Sequence, residues 1–202
     1  GRCEDEPKAW GIDADARYDA CAFSDFDRDV AIDLYVNGTI TGGISYRDAL
    51  FRNTGRGFVE VTPDNVAALH ADHGVQWADV HNDGDEELAL TGQRPDGMHY
   101  IMNNSPSPFA FEASQLRRSL SVRVLDAAGR ATKAGAEVRV FVAGTRQLLG
   151  MRVVDTGSGY NAQNEMPVLL SFVGDATVDI EVAWPTAGGR KTTISRNPLW
   201  IR

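Results

Sequence analysis

Two acidic loops of nearly the same pattern, 54 residues apart, restrict this chain more than any other feature. The first runs through FSDFDRDVAIDLYV from Phe23 and carries Asp25, Asp27, Asp29 and Asp33; the second runs through WADVHNDGDEELAL from Trp77 and carries Asp79, Asp83 and Glu87. Ca²⁺ takes about 6–8 oxygen ligands at roughly 2.3–2.6 Å, so carboxylates at alternate positions of a tight turn can converge on one ion. An EF-hand opens in a similar way but closes with a bidentate Glu at its twelfth position, between two helices. Here that position is Val36 in one loop and Leu90 in the other, each inside an apolar alternating run that predicts a strand. Both loops therefore feed β-strands. Taken at positions 1, 3, 5, 7 and 9, the candidate metal positions are Asp25, Asp27, Asp29, Ala31 and Asp33, then Asp79, His81, Asp83, Asp85 and Glu87.

The strand pattern extends along the chain. Turn signals such as Asn37-Gly38, Gly42-Gly43, Asn82-Asp83-Gly84 and Gly188-Gly189 bracket short runs, among them AIDLYV, GFVEV and ELALTG. One short helix is predicted near Pro63 to Leu69, with Thr62 as its cap. Aligning Asp25 with Asp79 also aligns Phe23 with Trp77 and Leu34 with Leu88, which predicts an internal repeat of about 50 residues. A four-stranded unit of that length cannot bury its own faces, and two of them cannot close a ring. Either the C-terminal segment covers the exposed sheet or the chain assembles as a homo-oligomer.

The 202 residues, 43% hydrophobic and 24% charged, suffice for a sizeable core. A formal net charge of -8 argues against a nucleic-acid partner, which needs clustered Lys and Arg. No apolar run reaches the roughly 20 residues of a membrane helix. The first residue is Gly, as expected of a processed or engineered product. A disulfide between Cys3 and Cys21 is expected, worth about 3 kcal/mol in the chain-entropy model. With the acidic surface and the calcium loops, it predicts a secreted or periplasmic protein.

The two loop sequences resemble the FG-GAP or VCBS repeats of integrin-type propellers. From about Leu120 to Ile194 the chain then resembles the ASPIC/UnbV domain, through AGAEVRVFVAG, DTGSGYNAQNE, LLSFVGDAT and VDIEVAWP in that order. That arrangement is found in cartilage acidic proteins and in many bacterial secreted proteins. The resemblance implies an all-β fold with two propeller-blade-like units at 1–104, a linker at 105–118, and a β-sandwich-like domain at 119–202. It implies calcium as the cofactor. Two departures stand out. Val30 occupies the repeat's usual glycine position, so a positive φ there would strain a β-branched residue, and His81 replaces an aspartate with a ligand better suited to a transition metal.

All four histidines, His70, His73, His81 and His99, lie around the second loop, as surface groups or as a transition-metal or acid/base site. In DTGSGYNAQN, Tyr160, Gln163 and Asn164 offer an aromatic face and amide groups suited to a sugar or other polar ligand. No catalytic motif of a hydrolase, kinase or dinucleotide enzyme is present. The leading expectation is a secreted calcium-binding module for adhesion to a cell-surface protein or recognition of a carbohydrate. The alternative is a calcium-dependent cyclase or isomerase of small-molecule biosynthesis. A deep, mostly apolar concavity between the repeats and the C-terminal domain would favour the enzyme, and a flat polar surface the binder.

Overall fold

In a computed structural model, the described residues are 8–12, 17–68, 72–81, 86–92, 100–102, 117–131, 134–157, 167–196 and 198. They are mostly β-strand. The first half contains β1 (Tyr18–Ser24), β2 (Asp33–Gly38), β3 (Ile40–Thr41), β4 (Ile44–Ser45), β5 (Ala49–Asn53), β6 (Phe58–Glu60), the single helical turn α1 (Asp64–Ala67), β7 (Asp72–Ala78), β8 (Glu87–Gly92) and β9 (Tyr100–Met102). The second half contains β10 (Arg117–Val122), β11 (Glu137–Val142), β12 (Leu148–Val153), β13 (Val168–Val173), β14 (Val178–Thr186) and β15 (Gly189–Arg196). No helix among the described residues is long and apolar enough to cross a membrane.

The first acidic loop joins β1 to β2 in an antiparallel sheet of order β1-β2-β5-β6, and the second joins β7 to β8 in a sheet of order β7-β8-β9. The two hairpins share one register at the 54-residue offset: Phe23 pairs with Leu34 and Ser24 with Asp33, while Trp77 pairs with Leu88 and Ala78 with Glu87. Internal repetition is therefore present in the backbone pairing. Neither sheet closes on itself among the described residues.

Every residue of β2 is buried, because cores lie on both of its faces. Tyr35 points into a cluster with Ala20, Ala22, Leu50, Val66, Val75, Trp77, Leu88 and Leu90, which joins the two sheets. Leu34 and Val36 point the other way, against Ala49 and Phe51. This explains why the run reads as almost continuously apolar. Phe26 from the first loop stacks on Trp77 of β7, with centroids 6.0 Å apart and planes 8° from parallel, an arrangement worth about 0.5–1.5 kcal/mol beyond its buried area. At the end of β2, Gly38 has no room for a side chain, since a Cβ would lie 2.1 Å from the Tyr46 carbonyl oxygen. The short helix is shorter than expected and is not capped by Thr62. Pro63 is its N-cap without a side-chain bond, and the Thr62 hydroxyl instead accepts the Leu50 N–H at 2.8 Å.

In the second half, β10 pairs with β13, and β12-β11-β14-β15 form a second sheet. Val138 and Val140 from one sheet and Leu170 and Phe172 from the other meet in a single core with Val124, Val154 and Val178. β10 takes in Arg117 and Arg118, at the end of the segment read from sequence as a linker; the remainder of that segment, to residue 116, is outside the described residues.

Candidate functional site

The first acidic loop is built by its own carboxylates. The Asp25 side chain accepts the N–H groups of Asp29 at 2.9 Å and Val30 at 3.1 Å, and Asp29 accepts that of Ala31 at 2.8 Å. Asp33, the first residue of β2, closes the turn: one oxygen accepts the Phe26 N–H at 3.2 Å and the other the Asn53 N–H at 2.7 Å. This wraps the chain tightly enough to force two non-glycine residues into the left-handed region, Arg28 at φ 64° and Val30 at φ 79°. The strain expected at Val30 is therefore real, and costs roughly 1–3 kcal/mol.

Asp25, Asp27 and Asp29 come together with one oxygen each inside a 4.8 Å span. All donors there are hard oxygens, and burial makes their charge costly. Burial pushes Asp25 up to about 7, with Asp29 and Asp27 adding to the rise while Arg152 and the Val30 N–H oppose it. Asp33 is pushed up to about 8, again chiefly by burial, against the Asn53 hydrogen bond. Asp27 is also raised, by burial and then by Asp29. Arg52 also partly offsets this: its guanidinium bridges Asp27 at 2.5 Å and Asp29 at 3.3 Å. Excess negative charge, carboxylate donors and close spacing fit a divalent hard cation such as Ca²⁺.

The second loop repeats the closing contact of the first. Glu87 Oε2 accepts the Val80 N–H at 2.9 Å, the counterpart at the 54-residue offset of the bond from Phe26 to Asp33. His81 Nδ1 lies 3.2 Å from the same oxygen. Glu87 is fully buried, and its Oε1 has no hydrogen-bond partner among the described residues. Asp79 is half-buried at the start of the loop. Asp83 and Asp85 lie outside the described residues, as do His70 and His99, and His73 is placed only by its backbone in β7.

Between the first-half sheets and β12 and β13 of the second half lies a cleft of about 900 Å³. One wall is the outward face of β1. Its alternation exposes Asp19, Cys21 and Phe23 while Ala20, Ala22 and Ser24 point inward. The other wall presents Met151, Val153, Asp155, Val168 and Leu169. Phe23 is 59% exposed and Val153 46%, so apolar side chains face open space from both sides. Phe23, aligned by sequence with buried Trp77, thus serves the cleft and not the core. The disulfide expectation touches this wall: Cys21 is exposed and has no disulfide partner among the described residues, while Cys3 lies outside them. Tyr160, Gln163 and Asn164 also lie outside them, although Asp155, Thr156 and Gly157, which open the same DTGSGYNAQN stretch, line the cleft.

A guanidinium holds the two walls together at one end. Arg152 donates to the Ser24 hydroxyl at 2.9 Å, to Glu86, and to the Leu169 carbonyl at 3.2 Å. Ser24 also donates to Glu86. Ser24 directly precedes Asp25 and Glu86 directly precedes Glu87, so one side chain from β12 reaches the rim of both acidic loops. Neither Arg52 nor Arg152 was signalled by sequence. The side-chain partners of Arg152, Ser24 and Glu86, are 128 and 66 residues away, and no local pattern marks such a residue.

Residues 128–201 match the family model described as ASPIC and UnbV. The C-terminal segment is therefore ASPIC/UnbV-like. It supplies Arg152 and the second wall of the cleft. No curated protein matches the chain.

Val30→Gly should relieve the left-handed strain. Allowing for the entropy glycine loses on folding, we expect a gain of about 1 kcal/mol in urea unfolding. A loss of stability would show that the left-handed conformation is not the one the loop adopts.

Proposed function

We propose that this protein binds a small, predominantly apolar molecule in the cleft, and that Ca²⁺ held by the Asp25 loop is a structural part of one wall. The cleft carries the reading. A concave site of this volume, lined by exposed Phe23 and Val153 and half-buried Met151 with a few charged groups, has the size and character of small-molecule sites. Adhesion to a protein or carbohydrate through a flat polar face has less in its favour. The two hairpins are read as FG-GAP/VCBS repeats of the propeller-blade kind, on the strength of their shared register and shared closing contact. A domain division at 1–104, 105–118 and 119–202 and a secreted or periplasmic location belong to the same reading.

Asp25, Asp27, Asp29 and Asp33 would hold the cation in the first loop, and Asp79, His81 and Glu87, with Asp83 and Asp85, in the second. When bound, calcium supplies the positive charge that lets buried carboxylates stay ionised. The chain's own residues do the rest: backbone N–H groups orient the carboxylates, and Arg152 sets the distance between the walls. A cyclase or isomerase acting on the bound molecule is a second reading. It is favoured by the titratable groups Cys21, Asp19 and Asp155 among the residues that line the cleft.

Three outcomes are expected. In chelator, Asp25 and Asp33 hold protons in the folded state that the unfolded chain gives up near its ordinary carboxylate pKa. Their contribution is present at acid pH and lost as pH rises through about 7 to 8, so the melting temperature should fall between about pH 5 and about pH 9. Millimolar Ca²⁺ should raise it most at the alkaline end; equal melting with chelator and with Ca²⁺ rejects structural calcium. Next, the neutral fluorophore N-phenyl-1-naphthylamine should bind with enhanced emission. Phe23→Lys and Val153→Lys should each weaken it about tenfold at unchanged melting temperature, and unaltered binding in both variants would rule the cleft out. Finally, if the chain is a cyclase or isomerase, a molecule captured from an extract and incubated with it should change connectivity at constant mass. Its unchanged recovery by NMR leaves binding alone.

A further inference from the structure

The two acidic loops share a closing contact but not a closing group. In the first loop both oxygens of Asp33 are taken by the backbone, one by the Phe26 N–H at 3.2 Å and the other by the Asn53 N–H at 2.7 Å. In the second, Glu87 Oε2 accepts the Val80 N–H at 2.9 Å, while Oε1 has no hydrogen-bond partner among the described residues. Glu87 is fully buried, so water does not satisfy that oxygen either. A desolvated carboxylate oxygen without a donor costs free energy, and buried charges are normally paired or bound to a metal. Glu87 therefore keeps a coordination position that Asp33 has spent.

The surroundings of the two closing groups differ as well. Arg52 bridges Asp27 and Asp29 in the first loop. Strand pairing sets Phe51 opposite Leu34 and Met102 opposite Leu88, so the sequence position that matches Arg52 is Asn103, which carries no charge. The nitrogen brought to Glu87 is that of His81, with Nδ1 3.2 Å from Oε2 and a side chain 48% exposed. An imidazole nitrogen and a carboxylate oxygen at that separation can be neighbours on one ion. With bonds of roughly 2.1 Å to each, the ion would see them about 100° apart, between the octahedral and tetrahedral angles.

Donor type then decides the ion. The cluster of Asp25, Asp27 and Asp29 offers only oxygens, the ligands Ca²⁺ takes. Imidazole suits Zn²⁺ and its first-row neighbours better than a hard cation. We propose that the second loop is a transition-metal site of the Zn²⁺ class, held by His81 Nδ1 and the Glu87 carboxylate, while the Asp25 loop keeps Ca²⁺. The proposal rests on the reading that the second loop holds a cation, and adds which class of cation it takes.

Co²⁺ reports on such a site through its visible absorption. Titrated into the full chain in millimolar Ca²⁺, Co²⁺ should bind with one equivalent that Zn²⁺ displaces. His81→Asn, at a half-exposed position, should weaken Co²⁺ binding by at least about tenfold at unchanged melting temperature. His81→Asp, which gives the second loop an all-oxygen donor set, should lose Co²⁺ to the same extent and take up one more equivalent of Ca²⁺ by calorimetry than the unsubstituted chain. Co²⁺ binding that survives His81→Asn assigns the ion to other groups and overturns the proposal. Two equivalents of Ca²⁺ and no Co²⁺ on the unsubstituted chain also overturn it, and leave the second loop as a cation site. One equivalent of Ca²⁺ and no Co²⁺ ends both readings.

Discussion

The arrangement of the two halves depends on one desolvated guanidinium. Arg152 and Glu86 are only 13% and 14% exposed, and Ser24, almost fully buried, donates to the same carboxylate that receives the Arg152 charge. A buried ion pair of this kind repays the loss of hydration only when the remaining donors and acceptors are satisfied. Here a serine hydroxyl and two backbone carbonyls complete the set. The geometry that satisfies them fixes where β12 stands relative to β1. The cleft is the space left over when that distance is set.

The first acidic loop works under a different constraint, too much negative charge in too little water. Each aspartate accepts backbone N–H groups that shape the turn, so none can be removed without unsatisfying the backbone it holds. Together they repel one another, and Arg52 and, at Asp25, Arg152 compensate only part of that charge. The tightness of the turn also drives Val30 to a φ that a β-branched residue avoids. A fold tolerates such stored strain where the surrounding bonds over-determine the conformation, and a cation would relieve the electrostatic part of it.

Much of the architecture could be read along the chain because its causes are local. Alternation of side chains, turn glycines and carboxylate spacing are short-range signals, and they placed the strands, the hairpin turns and the 54-residue equivalence of Asp25 with Asp79. Gly38 was read differently: Asn37-Gly38 looks like a turn, but both residues end β2, where the close approach of Tyr46 leaves no room for a side chain. The helix cap at Thr62 was misread because a hydroxyl next to Pro63 looks like a cap until a neighbouring strand offers it the Leu50 N–H. Phe23 shows a related limit. Its pairing partner matches that of Trp77, but what each side chain faces depends on the sheet packed against it.

By itself, then, the sequence determined the β-rich class, the repeated hairpin register and the clustering of aspartates that makes the first loop a candidate cation site. These follow from strand periodicity and from spacing within a few residues. Only the tertiary structure decided that Arg152 spans to Ser24 and Glu86, and that Cys21 and Phe23 line one cleft with Met151 and Val153. Those juxtapositions join segments more than 60 residues apart. Packing of one sheet against another brings them together, and no local pattern encodes it.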